Sequence, residues 1–443
     1  MKSRAVAIAA CILAVMISAS TLQAASYPAT ALEKKIKVLS DKLTPELIDI
    51  RRDLHGHPEL GLQEVRTSGI VVDYFRKLGL EVRTGYAKTG VLGILRGSKP
   101  GPVVAMRGDM DALPITEETG LPFASRVKAI VDGRETGLMH SCGHDIHTTI
   151  LLGVAAVLSA VKADLPGTVV FVAQPAEELS GSVGARLMIE EGAFNDIVPA
   201  AFFAYHVAGN IKAGRIGYVP GFASANVDGF RLIIKSKGCH GSTPGLCVDP
   251  IVVGAQIVTA LQVMVAREID VQDHTVVTVG SFHAGTASNI IPGSAELRAT
   301  VRTYGDGQRQ ILKEKITRLV TGICEAAGAP FDLSYEHGSP SMYSDPGLLA
   351  GALATAERVL GGKSAIVEEK PEMGGEDFSC FGKIAPALML NLGVEPADGE
   401  ETAVHSPTFV ADEASIPIGV SLMANIILDY QLKRARGSGN RAE

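Results

Sequence analysis

The residues able to do chemistry fall in five places: His140-Ser141-Cys142-Gly143-His144-Asp145, Arg107-Gly108-Asp109-Met110-Asp111, Gln174-Pro175-Ala176-Glu177-Glu178, His206 at the end of an apolar run, and His405 in Val404-His405-Ser406-Pro407. Taken singly, a histidine or cysteine is more often a satisfied core residue than a ligand. Taken together they offer thiolate, imidazole and carboxylate. That donor set suits a divalent ion of the borderline-soft kind, zinc first. Glu177 and Glu178 are adjacent, and neighbouring side chains of an extended segment point in opposite directions. One carboxylate can then ligate metal while the other faces an attacking water as general base, the division that metal-assisted hydrolysis needs.

The elements around these clusters give an α/β pattern. Apolar β-rich runs at 90–96, 103–106, 169–173 and 201–205 read as buried strands, with helices at 67–78, 146–161 and 183–191 between them. The first helix stops at Gly79 and the third before Gly192. Such alternation builds an α/β domain, and ligands of open α/β sheets collect where the strand ends and their loops meet. From residue 226 the order becomes strand 228–237, helix 250–267, strands 275–282 and 295–303, helix 307–327 and strand 331–336, the βαββαβ sequence of a ferredoxin-like unit. Leu312, Ile316, Leu319, Val320, Ile323, Cys324 and Ala327 recur at helical spacing, which makes Cys324 a core residue. The α/β pattern resumes after His337 and closes with a helix at 413–432. The expected organisation is a catalytic domain at 25–225 and 338–443, with a smaller domain inserted at 226–337.

With 46% apolar and 20% charged residues and no long low-complexity tract, the 443-residue chain has the profile of a folded protein with room for two domains. Its formal net charge is -7 and its one basic cluster is Lys433, Arg434 and Arg436, so a small molecule, and not nucleic acid, is the expected partner. Lys2 and Arg4, the apolar run 5–17 and the ending Leu22-Gln23-Ala24 read as a secretory signal peptide over 1–24. No later stretch reaches the roughly 18 to 20 uninterrupted apolar residues of a spanning helix. The expectation is an exported protein, periplasmic or secreted, with no membrane span once the signal is removed. Ile8-Ala9-Ala10-Cys11 looks like a lipoprotein box, but the apolar run continues past Cys11, which leaves with the signal. Cys142, Cys239, Cys247, Cys324 and Cys380 remain, an odd number for an oxidising compartment.

In chain order, Arg52-Asp53-Leu54-His55-Gly56-His57-Pro58-Glu59-Leu60-Gly61, Arg107-Gly108-Asp109-Met110-Asp111-Ala112-Leu113-Pro114, Cys142-Gly143-His144-Asp145, Gln174-Pro175-Ala176-Glu177-Glu178 and Gly374-Gly375-Glu376-Asp377-Phe378 resemble a known set of motifs. They are similar to those of the binuclear metallo-amidohydrolases related to aminoacylase, hippurate hydrolase and the auxin-conjugate (IAA-amino acid) hydrolases, over nearly the whole mature chain. The resemblance implies a metallo-exopeptidase-like catalytic domain with the inserted unit as a lid. It implies Cys142 as a thiolate bridging two ions, Glu178 and His405 on one, His144 and His206 on the other, Glu177 as base, and Asp109 as a carboxylate behind the ligands that orients one of them. In the lid, His240 resembles the histidine that supports the oxyanion, and Asn289 and Arg302 the pair that holds the substrate carboxylate, which an Arg fork suits. The implied reaction is hydrolysis of the amide of N-acyl amino acids or similar small carboxylate-bearing amides. Water gives its proton to Glu177 and attacks the carbonyl, and Glu177 returns the proton to the leaving amine. Members of the family pair through the lid, so a homodimer is the expected assembly.

Two other readings stand beside this one. A dipeptidase or carboxypeptidase shares the ligand logic and the carboxylate pocket. A non-catalytic exported binding protein would have no need of Glu177, yet this chain keeps it with every ligand candidate. His55 and His57, in a polar stretch after a helix, read as structural, as does His147 one turn after His144. Asp111 reads as a residue that orients backbone groups, and His274, His283 and His337 have no assigned partner. One departure from the family pattern is Gly245, where many members have a histidine after the proline of the His-Gly-Ser-x-Pro segment. It leaves the lid loop and acyl specificity open. With Cys142 as a metal thiolate, Cys324 in the core and Cys380 unassigned, Cys239 and Cys247 are the disulfide candidates. The turn signal Pro244-Gly245 between them lets the chain double back.

Overall fold

A computed structural model describes residues 30–179, 183–397, 399 and 402–439. The signal-peptide segment at 1–24 lies outside the described residues. The apolar runs assemble into an eight-stranded mixed sheet in the order Glu81–Tyr86, Gly90–Arg96, Pro166–Gln174, Lys99–Asp109, Phe202–Lys212, Ala387–Glu395, Ile216–Tyr218 and Ile366–Glu368. Its central strands Pro166–Gln174, Lys99–Asp109, Phe202–Lys212 and Ala387–Glu395 run parallel, so Asp109 stands beside Gln174 and His206 beside Asn391 at their carboxyl ends.

Pleating divides the strands' side chains between two cores. Val91, Val104 and Phe203 face one that is filled by the helices Ala31–Gly56, Val65–Lys77, His144–Ala160, Pro346–Val359 and Ser415–Gly439. Their neighbours Leu92, Ala105 and Phe202 face the other, where Phe194, Phe378 and Phe381 close over them. Each fully buried Phe or Leu contributes about 1.5 to 3 kcal/mol of hydrophobic stabilisation, so both faces hold the sheet rigid.

The helix that the sequence reading places before His55, without bounds, spans Ala31–Gly56 and includes His55. It starts on a capping box between Thr30 and Glu33 and carries Pro45 in its interior, a residue that interrupts a helical pattern. His55 therefore lies in the last turn of a helix and is buried; it does not follow one. The final helix starts at Ser415, two residues later than the pattern suggests.

The inserted unit is a four-stranded antiparallel sheet in the order Thr275–Ala284, Ser294–Thr303, Asn226–Lys235 and Phe331–His337, with the helices Pro250–Glu268 and Gly305–Ala327 packed on one face. This is the ferredoxin-like arrangement, and Cys324 is fully buried in its core. Cys239 and Cys247 form the disulfide. The unit meets the larger one through Tyr304 Oη, which donates to Glu372 O at 2.9 Å, and through a Lys383–Asp306 ion pair at 2.6 Å. Among the described residues, two helices, Pro250–Glu268 and Ser415–Arg436, are long and apolar enough to cross a membrane; the second is 72% buried in the core and the first only 33%, leaving Ile251, Val252 and Val263 exposed.

Candidate metal centre

Cys142 and His144 are set by one turn. Gly143 between them has φ 76°, a left-handed conformation, and a Cβ there would lie 2.5 Å from Val207 Cγ2, so the position requires glycine. His144 then opens a helix whose residues 144–158 are all buried. His206 is delivered by the strand Phe202–Lys212, and His405 by a loop in which it has φ 63°, a strained backbone for a non-glycine residue. The Glu177–Glu178 segment is not extended. The strand ends at Gln174 and Ala176 has φ 57°, so a turn, and not strand alternation, sets the two carboxylates, each of which offers an oxygen within 4.8 Å of the other and of His144.

These elements converge on Cys142. Its sulfur lies 3.3 Å from His206 Nε2 and 3.2 Å from His405 Nε2, and His405 Nε2 lies 3.1 Å from Glu178 Oε1. Two donor groups, Cys142–His144–His206 and Cys142–Glu178–His405, each have their ligand atoms within 4.8 Å of one another and share the cysteine. Glu177 lies outside both groups but close to them, within 4.8 Å of His144 and Glu178 on one side and of Glu376 and Asp377 on the other. His206 Nδ1 donates to Val207 O at 2.8 Å, which leaves its Nε2 lone pair facing the sulfur.

The supports are equally specific. His147 Nδ1 donates to Asp109 Oδ1 at 2.6 Å and its Nε2 accepts the Val207 N–H at 2.9 Å, so both nitrogens are committed and His147 is structural. Asp109 Oδ2 lies 3.4 Å from His144 Nε2 and 2.6 Å from Arg107 Nη1. Arg107 Nη2 also reaches Glu376 Oε1 at 2.8 Å and Asp377 Oδ1 at 3.1 Å, a buried cation shared by three carboxylates. Asp111 orients backbone, accepting from the N–H groups of Glu177 and Glu178, and His144 Nδ1 lies 3.3 Å from it. His55 bridges Asp145 at 2.8 Å and Glu117 at 3.2 Å, and Arg51 Nε pairs with Asp145 at 2.9 Å. His57 is exposed and bonds Asp53 O at 2.8 Å, away from the centre.

The electrostatics fit a dication. Burial raises the Glu177 carboxyl well above the ordinary carboxylate range, and the charges of Glu376, Asp377 and Glu178 push it the same way. Burial likewise raises the Cys142 thiol. For His144 burial disfavours the imidazolium, but Asp109, Asp111 and Cys142 outweigh it and the group is raised. A buried cluster with this excess of acids calls for positive charge. The two ring nitrogens of His144 and Glu178 Oε1 are buried and make no hydrogen bond among the described residues, which leaves them free to ligate.

The centre opens into a cleft of about 1130 Å³ between the two units. Arg302 lines it from the outer face of the inserted sheet; it bonds only Val301 O, at 3.4 Å, and makes no ion pair among the described residues. His240 and Asn289 do not line it. They sit together on an exposed two-stranded ribbon, where His240 pairs in register with Ile290 and Gly241 N donates to Asn289 O at 2.8 Å. His240 Nδ1 is occupied by Ser242. The disulfide closes this ribbon's loop, so His240 and Asn289 form one unit outside the cleft lining, apart from Arg302. His337, without a partner in the sequence reading, faces Asp228 at 3.3 Å and Lys313 at 3.2 Å.

Sequence reasoning missed Glu64. It is fully buried, its Oε1 accepts the Ala176 N–H at 2.8 Å and its Oε2 accepts the Thr89 hydroxyl at 2.6 Å. Its closeness to the Arg52–Gly61 motif was the only signal in the sequence that could have pointed to it.

Comparison with known proteins agrees with this geometry. Residues 105–429 match peptidase family M20/M25/M40. An N-acetylcysteine deacetylase of Bacillus subtilis is 38% identical over 381 residues, 86% of this chain and 95% of that protein. Thermostable carboxypeptidase 1 of Saccharolobus solfataricus is 36% identical over 405 residues, 91% of this chain and 100% of that protein. The crystal structure of a dinuclear metal-binding M20 peptidase from Bacillus subtilis superimposes with a TM-score of 0.76 at 34% identity, covering 88% of this chain and 99% of that one. Matched across most of its length by the family and by relatives above 30% identity, the chain belongs to peptidase family M20/M25/M40.

Proposed function

We propose that this protein is a hydrolase of the amide bond in N-acyl amino acids. It would use two divalent ions, one held by Cys142, His144 and His206 and the other by Cys142, Glu178 and His405, with zinc the first ion to test and manganese or cobalt next. The observation that carries this reading is the sharing of Cys142 by two donor groups beside Glu177, a carboxylate that belongs to neither. When bound, the ions supply Lewis acidity towards the amide carbonyl and lower the pKa of the attacking water. Glu177 takes that water's proton and returns it to the leaving nitrogen. Asp109 holds His147 and neighbours His144, and Arg302, without an ion pair among the described residues, receives the carboxylate of the leaving amino acid.

His240 supports the oxyanion, and Asn289 the carboxylate, once they reach the cleft, either by movement of the inserted unit or from the inserted unit of a second copy. The uncovered Ile251, Val252 and Val263 offer a surface for a homodimer through that unit. Export is proposed from the N-terminal segment, and the Cys239–Cys247 disulfide is consistent with an oxidising compartment. The domain division at 25–225, 226–337 and 338–443 is part of the same proposal.

The similarity to a carboxypeptidase favours peptide hydrolysis as a second reading. A panel of aryl and aliphatic N-acyl amino acids, with dipeptides and acyl-dipeptides alongside, separates the two. The metal-reconstituted protein should release free amino acid fastest from the acyl amino acids; faster cleavage of peptides favours the second reading, and no release from any member overturns both.

A further inference from the structure

The cleft has a second polar end that the chemistry above leaves unused. Asn391 stands beside His206 on the neighbouring parallel strand, and its Nδ2 donates to Glu369 Oε2 at 2.6 Å; Asn210 Nδ2 lies 3.5 Å from the other oxygen. All three residues line the same cleft as Cys142, Glu177 and His405. The carboxylate has a built seat. A Cβ at Gly217 would lie 2.0 Å from Glu369 Oε2, so glycine there makes room for it, and Glu369 N donates to Tyr218 O at 2.9 Å.

What the seat lacks is positive charge. The two carboxylate oxygens meet neutral amides, and among the described residues Glu369 makes no ion pair, even with Lys370, which follows it and lines the same cleft. A half-buried carboxylate held in place by amides and left without a cation is poised for a donor that arrives with the ligand. We infer that Glu369, oriented by Asn391, forms a subsite for acyl groups that end in an ammonium or another N–H donor.

This rests on the amidohydrolase reading and names the acyl class it prefers. The substrate's own carboxylate is attracted by Arg302 on the inserted sheet and repelled by Glu369 at the edge of the main sheet, so the leaving amino acid lies towards Arg302 and the acyl end towards Glu369. Asn391 is one strand from His206 and Glu369 lies beyond it. Its carboxylate is nevertheless reached from the His206 strand itself, by Asn210 Nδ2 at 3.5 Å, four residues past His206, which suits an acyl chain that carries its ammonium several atoms from the carbonyl.

The test compares three substrates that share alanine as the leaving amino acid and differ at the acyl terminus: δ-aminovaleryl-alanine, its methyl isostere hexanoyl-alanine, and adipoyl-alanine with a terminal carboxylate. With the zinc-loaded protein at neutral pH, kcat/KM should favour the ammonium over the methyl terminus by about tenfold or more and place the carboxylate last. Glu369→Gln should cut the ammonium-to-methyl ratio by about tenfold. The wild-type comparison needs no variant and stands even where Glu369→Gln folds poorly. Cleavage of all three at equal rates, or an unchanged ratio in Glu369→Gln, overturns the subsite and leaves the amidohydrolase reading standing; no cleavage of any of the three overturns both.

Discussion

The carboxylate of Asp111 holds the main chain of Glu177: Oδ1 accepts the Glu177 N–H at 3.1 Å while Oδ2 accepts that of Glu178 at 2.9 Å. With Glu64 taking the Ala176 N–H, three consecutive amides of one turn are tied to buried carboxylates from distant parts of the chain. The strained φ of Ala176 is thereby over-determined, and the two glutamate side chains leave the turn in fixed directions.

Glu177→Gln should retain both metal ions and lose at least about a hundredfold in kcat, because the amide cannot accept the water's proton. Metal content by atomic absorption and turnover on the best substrate check this together. Near-wild-type turnover with full metal occupancy would exclude Glu177 as base.

Glu64→Ala leaves the Ala176 N–H buried without its acceptor, so kcat should fall by roughly tenfold while KM and metal content stay close to wild type. Glu64→Gln keeps an acceptor oxygen and should recover most of the loss. A KM effect, or equal losses in the two variants, would show that Glu64 does not act by placing this turn.

Arg302→Ala should weaken kcat/KM for substrates with a free carboxylate by about tenfold to a hundredfold, the loss of a charge-assisted pair worth on the order of 1.5 to 3 kcal/mol. The corresponding amides and methyl esters lack that pair already. Parallel losses on acids and amides would remove Arg302 from the carboxylate site.

The stability that two buried neutral histidines contribute should be lost in acid. Burial depresses His140 to about 3 and His147 to about 4, from an ordinary value of 6.5. Between those limits the unfolded chain binds protons that the folded chain refuses, so this stability is present above about pH 6.5 and is lost as the pH falls towards the folded values. Glu64 and Asp377, both raised to about 7 by burial, act on the melting temperature with the opposite sign, so the two rings are followed individually: NMR titration of the folded protein should show His140 and His147 still neutral well below about pH 6.5. A ring that titrates near its ordinary value in the folded protein would make no such contribution.

Much of the centre is local information. Cys142 and His144 flank a glycine that needs a left-handed turn, Glu177 and Glu178 follow a strand, and the βαββαβ unit declares itself by periodicity, so residue types and short spacings were enough to find them. Pairing Cys239 with Cys247 across Pro244-Gly245 is local in the same sense. Other relationships join residues far apart in the chain: Glu64 to Ala176 across 112 positions, Arg107 to Glu376 across 269, and Asn391 to His206 through strand order alone. No pattern within a window encodes which strands become neighbours. Packing decides that, and with it which carboxylate shares a cation, which turns to the cleft and which holds a backbone amide. The same holds for His240 and Asn289. Their motifs mark them by type, but their distance from the metal donors depends on how the inserted sheet docks against the main one, through contacts such as Tyr304 with Glu372 that sequence patterns do not carry.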